Sequence, residues 1–179
     1  MAYFSKEDNP QLAEKLLFKD KYYKKSTRLD NWDYTSCGYY YVTICTKDKK
    51  FSLGEVIESD KGLGATVNLL QAGELIDKCW NAIPDYYPNI ELDMYTIMPN
   101  HMHGIIFIKE QIKDVTLGLV INQFKASCTK HIRKLGYNDF TWQPRFYDHI
   151  IRDDKDLDRI RKYITENPIK WLLGEGDDW

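Results

Sequence analysis

No stretch of this chain approaches the ~18 consecutive apolar residues of a membrane-spanning helix, so no membrane span is expected. The opening residues 1–11 carry charges and Pro10 but no apolar core, so no signal peptide is expected either. Cysteine is scarce. Cys37, Cys45, Cys79 and Cys128 form no C-x-x-C pair, which argues against a cysteine-rich zinc site and fits reduced, mostly buried thiols of a cytoplasmic protein. An excess of one charge is lacking too. The 25 Lys and Arg stand against 27 Asp and Glu, a net charge of -2, which excludes a globally basic nucleic-acid binder. Any polyanion site must come from local clustering. There is no internal repeat and no low-complexity linker.

At 179 residues, one domain with a substantial core is the default. Aromatic residues are plentiful, with 13 Tyr, 7 Phe and 5 Trp. Some belong to the core, and others can stack on bases. The pattern centres on residues 94–108, two apolar strands meeting at Pro99-Asn100. His101 and His103 open the second strand. Side chains at i and i+2 of a strand share a face, so two imidazoles side by side can share one metal ion while Met102 turns away. A packed histidine pair beside a turn is the alternative.

Residues 1–35 form an N-terminal extension with a helix-like run at 11–18. In it Lys21, Lys24, Lys25 and Arg28 interleave with Tyr22 and Tyr23, either as a DNA-contacting arm or as a solvated extension. Strands are expected at 38–45 and, interrupted by Gly54, at 51–57. A loop follows at 60–64. Leu69, Leu70, Gly73, Ile76, Cys79, Trp80 and Ile83 recur at helical spacing, and that helix is expected to stop before Pro84. A hairpin of 90–98 and 101–108 comes next. Leu117, Val120, Ile121, Phe124, Cys128 and Ile132 mark a second helix, with Gly136 as its C′ residue. Its polar face carries Lys125, Lys130 and Arg133, a solvated face or a set of phosphate contacts; His131 is left as a surface residue. The segment 142–152 runs into a last strand. Asp153 or Asp154 caps a final helix, 155–167, ended by Pro168. The tail, 172–179, is short and acidic. Helices gathered on one side of a mainly antiparallel sheet give an α+β, ferredoxin-like two-layer sandwich, with the domain proper at 36–171.

The last helix carries Tyr163 and Asn167 four residues apart, hence on one face. A tyrosine can attack phosphorus if a divalent ion polarises the phosphate. The Asn167 carboxamide can serve as a third ligand beside two imidazoles, a mixed set that suits Mg²⁺ or Mn²⁺. A boundary tyrosine and a helix-ending asparagine are the alternatives.

Met98-Pro99-Asn100-His101-Met102-His103 resembles the histidine–hydrophobe–histidine motif of the single-tyrosine class of single-strand DNA transposases. Trp142-Gln143-Pro144-Arg145-Phe146-Tyr147-Asp148-His149-Ile150-Ile151-Arg152 and Tyr163-Ile164-Thr165-Glu166-Asn167-Pro168 resemble signatures of its REP-associated branch. The likeness covers roughly residues 28–171, with three motifs in the family's order. It implies a ferredoxin-like sheet with the histidines on a central strand. It also implies metal held by His101, His103 and Asn167, where relatives often carry Gln, and attack by Tyr163 on a DNA phosphodiester. A 5′-phosphotyrosine link and a free 3′-OH would result. One phosphodiester bond is exchanged for another, so no ATP is needed, and no phosphate-loop signature is present. The substrate would be single-stranded or hairpin DNA, and the enzyme a monomer or homodimer. Arg145 and Arg152 are candidate phosphate contacts. His149 is read as structural or as a supporting residue that orients a ligand. Relaxases and replication initiators share this chemistry, usually in larger chains; a repeat-binding protein without catalysis is the non-enzymatic alternative.

Overall fold

A computed structural model of the chain describes Leu29, residues 31–49, 52–59 and 64–175, and the backbone of β1 (Leu17–Phe18) and β2 (Lys21–Tyr22). Lys24, Lys25, Arg28 and the Lys21 side chain lie outside the described residues, as do residues 1–16 and 176–179. The helix-like run at 11–18 therefore ends differently from expectation, with Leu17–Phe18 paired antiparallel to Lys21–Tyr22.

The main sheet is built from β3 (Gly38–Cys45), β6 (Ile90–Ile97), β7 (His101–Ile108) and β8 (Tyr147–Ile151). All its pairings are antiparallel, in the order β6-β7-β3-β8. Between β3 and β6 come a hairpin of β4 (Gly54–Glu58) and β5 (Ala65–Leu69), then α1 (Gln71–Asn81) and the single turn α2 (Ile83–Tyr86). α3 (Leu117–Lys134) links β7 to β8, and α4 (Asp154–Leu172) ends the fold. The strand order and the two crossover helices α1 and α3 make the ferredoxin-like βαββαβ unit, as expected. That unit is complete at Ile151.

α4 is the departure. β3 and β7 are β-branched and aromatic, and they are buried along nearly their whole length. Strands alternate faces, so burial at every position means that both faces are covered. On one face Tyr40, Val42, Ile44, Met102 and Ile106 pack with Ile76 and Trp80 of α1 and with Val120, Ile121 and Phe124 of α3. On the other, Tyr41, Ile105 and Ile151 pack with Leu157, Ile160 and Ile164 of α4. The helices are thus not gathered on one side. The apolar stripe of α4 was visible in the sequence, but a stripe does not say which face it covers.

Several boundaries follow from local chemistry. The Asp153 carboxylate accepts the Asp156 amide at 2.8 Å and caps α4. Thr116 does the same for α3 through Leu119, and Gly136 follows that helix at φ 100°. α1 stops at Asn81, before Pro84 as expected, and Pro84 enters the first turn of the separate α2, where a missing N–H costs nothing. Pro168 lies inside α4, which continues to Leu172. The strand Ala65–Leu69 has no counterpart in the sequence reading. Its residues are at most half-buried, so it lacks the apolar alternation that reveals a strand.

Candidate active site

His101 and His103 open an inner strand, and both are buried, at 2% and 0% exposure. Register places Cys45 opposite His101 and Thr43 opposite His103, so Tyr41, Thr43 and the two histidines share one face. His101 Nε2 and His103 Nε2 converge to 3.0 Å. The far nitrogens are tied back. Asn100 Oδ1 lies 2.7 Å from His101 Nδ1, an acceptor that fixes the proton there and leaves Nε2 bare. His103 Nδ1 meets the Tyr41 hydroxyl at 2.7 Å and the Thr43 hydroxyl at 3.0 Å, and Thr43 in turn donates to Tyr41 at 3.1 Å.

α4 closes the site from above. The Tyr163 ring stands 5.3 Å from the His103 ring, edge to face, and 6.4 Å from that of Tyr41. The Trp171 ring stands 6.0 Å from the His101 ring. Asn167, at 2% exposure, falls midway on the same helical stripe, one turn from each. Lys170 holds its ammonium 5.5 Å from the Tyr163 ring centre and 3.2 Å from Glu166. An open groove of about 510 Å³ borders this stripe, lined by Asp93, Met94, Tyr95, Thr96, Ile164, Thr165 and Pro168. Thr96 is the register partner of His103 on the other side, so the groove opens beside the histidines.

The family described as "Transposase IS200 like" matches residues 69–167, which include both histidines, Tyr163 and Asn167. The chain belongs to the IS200-like transposase family. It is therefore a member of a family of DNA-acting enzymes. An uncharacterised protein of Haemophilus influenzae is 35% identical over 169 residues, covering 84% of this chain and 91% of that protein. A REP-associated tyrosine transposase of Escherichia coli is 33% identical over 94 residues, about half of each chain (50% and 51%). Among solved structures, a REP-associated tyrosine transposase bound to a REP hairpin shares the fold with a TM-score of 0.60 at 22% identity. That match covers 81% of this chain and 74% of the other.

Within this family member the expected DNA contacts separate into groups. Lys130 and Arg133 are exposed on α3, behind the sheet from the histidines, and Arg133 donates to the Phe140 carbonyl. Lys125 is not available for phosphate. It is 8% exposed, and its ammonium donates to the carbonyls of Gln143 at 2.6 Å and Pro144 at 3.4 Å. Burial lowers its pKa from the usual lysine value. Lys125 thereby ties down the loop that carries Arg145. The Gln143 amide in that loop donates to the carbonyl of Cys45, the register partner of His101. Exposed Arg145 is thus held at the histidine end of the sheet, whereas Arg152 leaves β8 at the opposite end.

For His149 the geometry fits the structural one of its two readings. Its Nε2 pairs with Asp156 Oδ2 at 2.7 Å, linking β8 to the first turn of α4. Burial alone would raise the Asp156 carboxyl, but its bonds to His149 and Arg159 hold it below the usual value. Three site residues escaped the sequence reading. Trp171 continues the i, i+4 series from Tyr163 and Asn167, a signal lost by ending the helix at Pro168. Tyr41 and Thr43 reach His103 only through a pairing some 60 residues apart in sequence, which no local pattern reveals.

The geometry passes a simple test for a divalent ion. Two donors placed cis on an octahedral ion at about 2.1 Å stand about 3 Å apart, the separation of the two Nε2 atoms. Among the described residues no three His, Cys, Asp or Glu side chains form a ligand cluster. No helix of the described residues is long and apolar enough to cross a membrane.

Proposed function

We propose that this chain cuts and rejoins single-stranded DNA at REP-type hairpins through a covalent bond between Tyr163 and a 5′-phosphate. The observation that carries this reading is the meeting of two elements: Tyr163 on α4 lies 5.3 Å, ring to ring, from His103 on β7, with Asn167 beside it. His101, His103 and Asn167 would hold Mg²⁺ or Mn²⁺. When bound, such an ion polarises a phosphoryl oxygen and offsets charge developing on the phosphate.

The chain's own residues do the rest. Asn100 holds the proton on His101 Nδ1, and the Tyr41 and Thr43 hydroxyls hold His103 in place, so that both Nε2 lone pairs face the site. The Tyr163 oxygen forms a new bond to phosphorus as the bond to the 3′ oxygen breaks. The departing 3′ oxygen gains the proton that the phenol loses, so one phosphodiester replaces another. Attack by a second 3′-OH reverses the step. We place the DNA strand in the groove beside β6, which α4 lines with Ile164, Thr165 and Pro168, and assign Arg145 a phosphate contact at the histidine end. We assign catalysis to residues 36–171, with 1–35 as a DNA-contacting arm and 172–179 as a tail. REP hairpins as the substrate are supported by the likeness to the REP-associated transposases.

The test is a 3′-end-labelled single strand carrying a REP hairpin, incubated with Mg²⁺ or Mn²⁺. The label should become bound to protein in a form stable to SDS. Tyr163→Phe should bind the hairpin and lose the adduct entirely. An adduct formed by Tyr163→Phe at the wild-type level would sink the proposal.

A further inference from the structure

We propose that the Asp93–Arg161 ion pair is the clamp that sets where α4 docks, and so holds Tyr163 over the histidine pair. Asp93 and Arg161 are then positioning residues for the reaction, an inference that rests on the function proposed above.

α4 is strapped to the sheet at both edges. At β8 the strap is His149–Asp156, in the helix's first turn. At β6 it is a two-bond fork. Arg161 donates from Nη2 to Asp93 Oδ2 at 2.6 Å and from Nε to Asp93 Oδ1 at 3.2 Å. β6 has a register shift between Leu92 and Tyr95, at the residue that forms the clamp. A bulge of this kind re-aims a side chain. The pair is partly desolvated, with side chains 17% exposed for Asp93 and 35% for Arg161. A pair this exposed adds little stability, so what it contributes is geometry.

Apolar packing does not do this job alone. Leu157, Ile160 and Ile164 seat the first half of α4 on Tyr41, Ile105 and Ile151. From Ile164 to Pro168 one side of the helix borders the open groove. The second half is covered on its other side, with Asn167 and Pro168 buried and Trp171 against the His101 ring, so the clamp's part is to set how the helix is turned on that seat. A displacement of about 1 Å at a reacting group costs about a hundredfold in rate. A guanidinium fork fixes rotation as well as distance, which a lysine ammonium does not.

The experiment measures three quantities on the full chain: amide hydrogen exchange across residues 161–168, hairpin affinity, and the single-turnover rate of adduct formation. Arg161→Ala should speed exchange in that segment and slow the adduct step about a hundredfold, with hairpin affinity unchanged. Arg161→Lys, which keeps the charge and the fold, should fall between it and wild type. The charge swap Asp93→Arg/Arg161→Asp should recover part of the rate lost by either single change. Lys162→Ala, on the exposed face beside it, should match wild type. Wild-type exchange in Arg161→Ala overturns the clamp, as does a swap no faster than the slower single variant. If the wild-type protein forms no adduct, the functional reading fails by itself, and the exchange measurement still decides the clamp.

Discussion

The two faces of the main sheet are made by the same strands, residue by alternate residue, yet they answer to different demands. Behind the sheet, Tyr40, Val42, Ile44, Met102 and Ile106 meet two helices in an apolar core. In front, Tyr41, Thr43, His101 and His103 meet one helix in a small apolar seat bordered by hydroxyls, imidazoles and a groove. The rear face is close-packed, and volume decides what it tolerates. The front face holds polar atoms in fixed directions, and hydrogen bonding decides what it tolerates. One strand can serve both because side chains alternate strictly.

Neighbouring residues of β7 offer the sharpest way to break this contrast. Gly104 faces the rear, where an added Cβ would collide with the Trp80 indole. Gly104→Val should lose about 1–3 kcal/mol of stability in urea denaturation, with the adduct rate per folded molecule near wild type. His103 faces the front. His103→Ala should slow adduct formation by more than about a hundredfold and lose less stability than Gly104→Val. If the two variants exchanged these phenotypes, the division of labour between the faces would be wrong.

What the sequence disclosed follows the same division. The rear core was legible, because periods of two and of three to four residues are written locally. Leu117 through Ile132 announced α3, and the β-branched and aromatic run at 38–45 announced β3. Much of the front site was also legible, because His101–His103 and Tyr163–Asn167 are short-range patterns. What stayed hidden depends on register and docking. Thr43 meets His103 and Asp93 meets Arg161 across 60 and 68 residues. Lys125 looked like a surface cation because one buried lysine cannot be told from its exposed neighbours until the loop at 143–144 is seen folded over it. Pro168 looked like a terminator because its missing amide is costly in most helices, yet α4 runs on beneath it and brings Trp171 to His101.

A gentler probe stays on the front face. Thr43→Val keeps the shape of the side chain and removes the hydroxyl 3.0 Å from His103 Nδ1. Partners of this kind orient a ligand imidazole, and their loss weakens metal affinity by about tenfold or more. Titration with Mn²⁺ should show that weakening, with thermal stability almost unchanged because Tyr41 still holds the ring. Undiminished affinity in Thr43→Val would mean that Tyr41 alone orients His103.

The smallest effect should come from acid acting on the front-face clamp. Burial by itself would raise the Asp93 carboxyl, but the Arg161 hydrogen bonds, the Met94 amide and the Arg161 charge together hold it below the ordinary value of 3.8. A carboxyl depressed on folding contributes stability that is fully present above its unfolded pKa and is lost as pH falls through its folded one. The Asp93 contribution is therefore intact at neutral pH and lost only below the ordinary carboxylate range. Asp93→Asn should cost under about 1 kcal/mol at pH 7 in urea denaturation, the scale of a partly exposed pair. The gap from wild type should close only below the ordinary carboxylate range, as pH falls through the lowered Asp93 value and wild-type Asp93 itself becomes neutral. A gap that persisted undiminished in acid would place the helix's attachment in apolar contact rather than charge, making the front face more like the rear than its polar groups suggest.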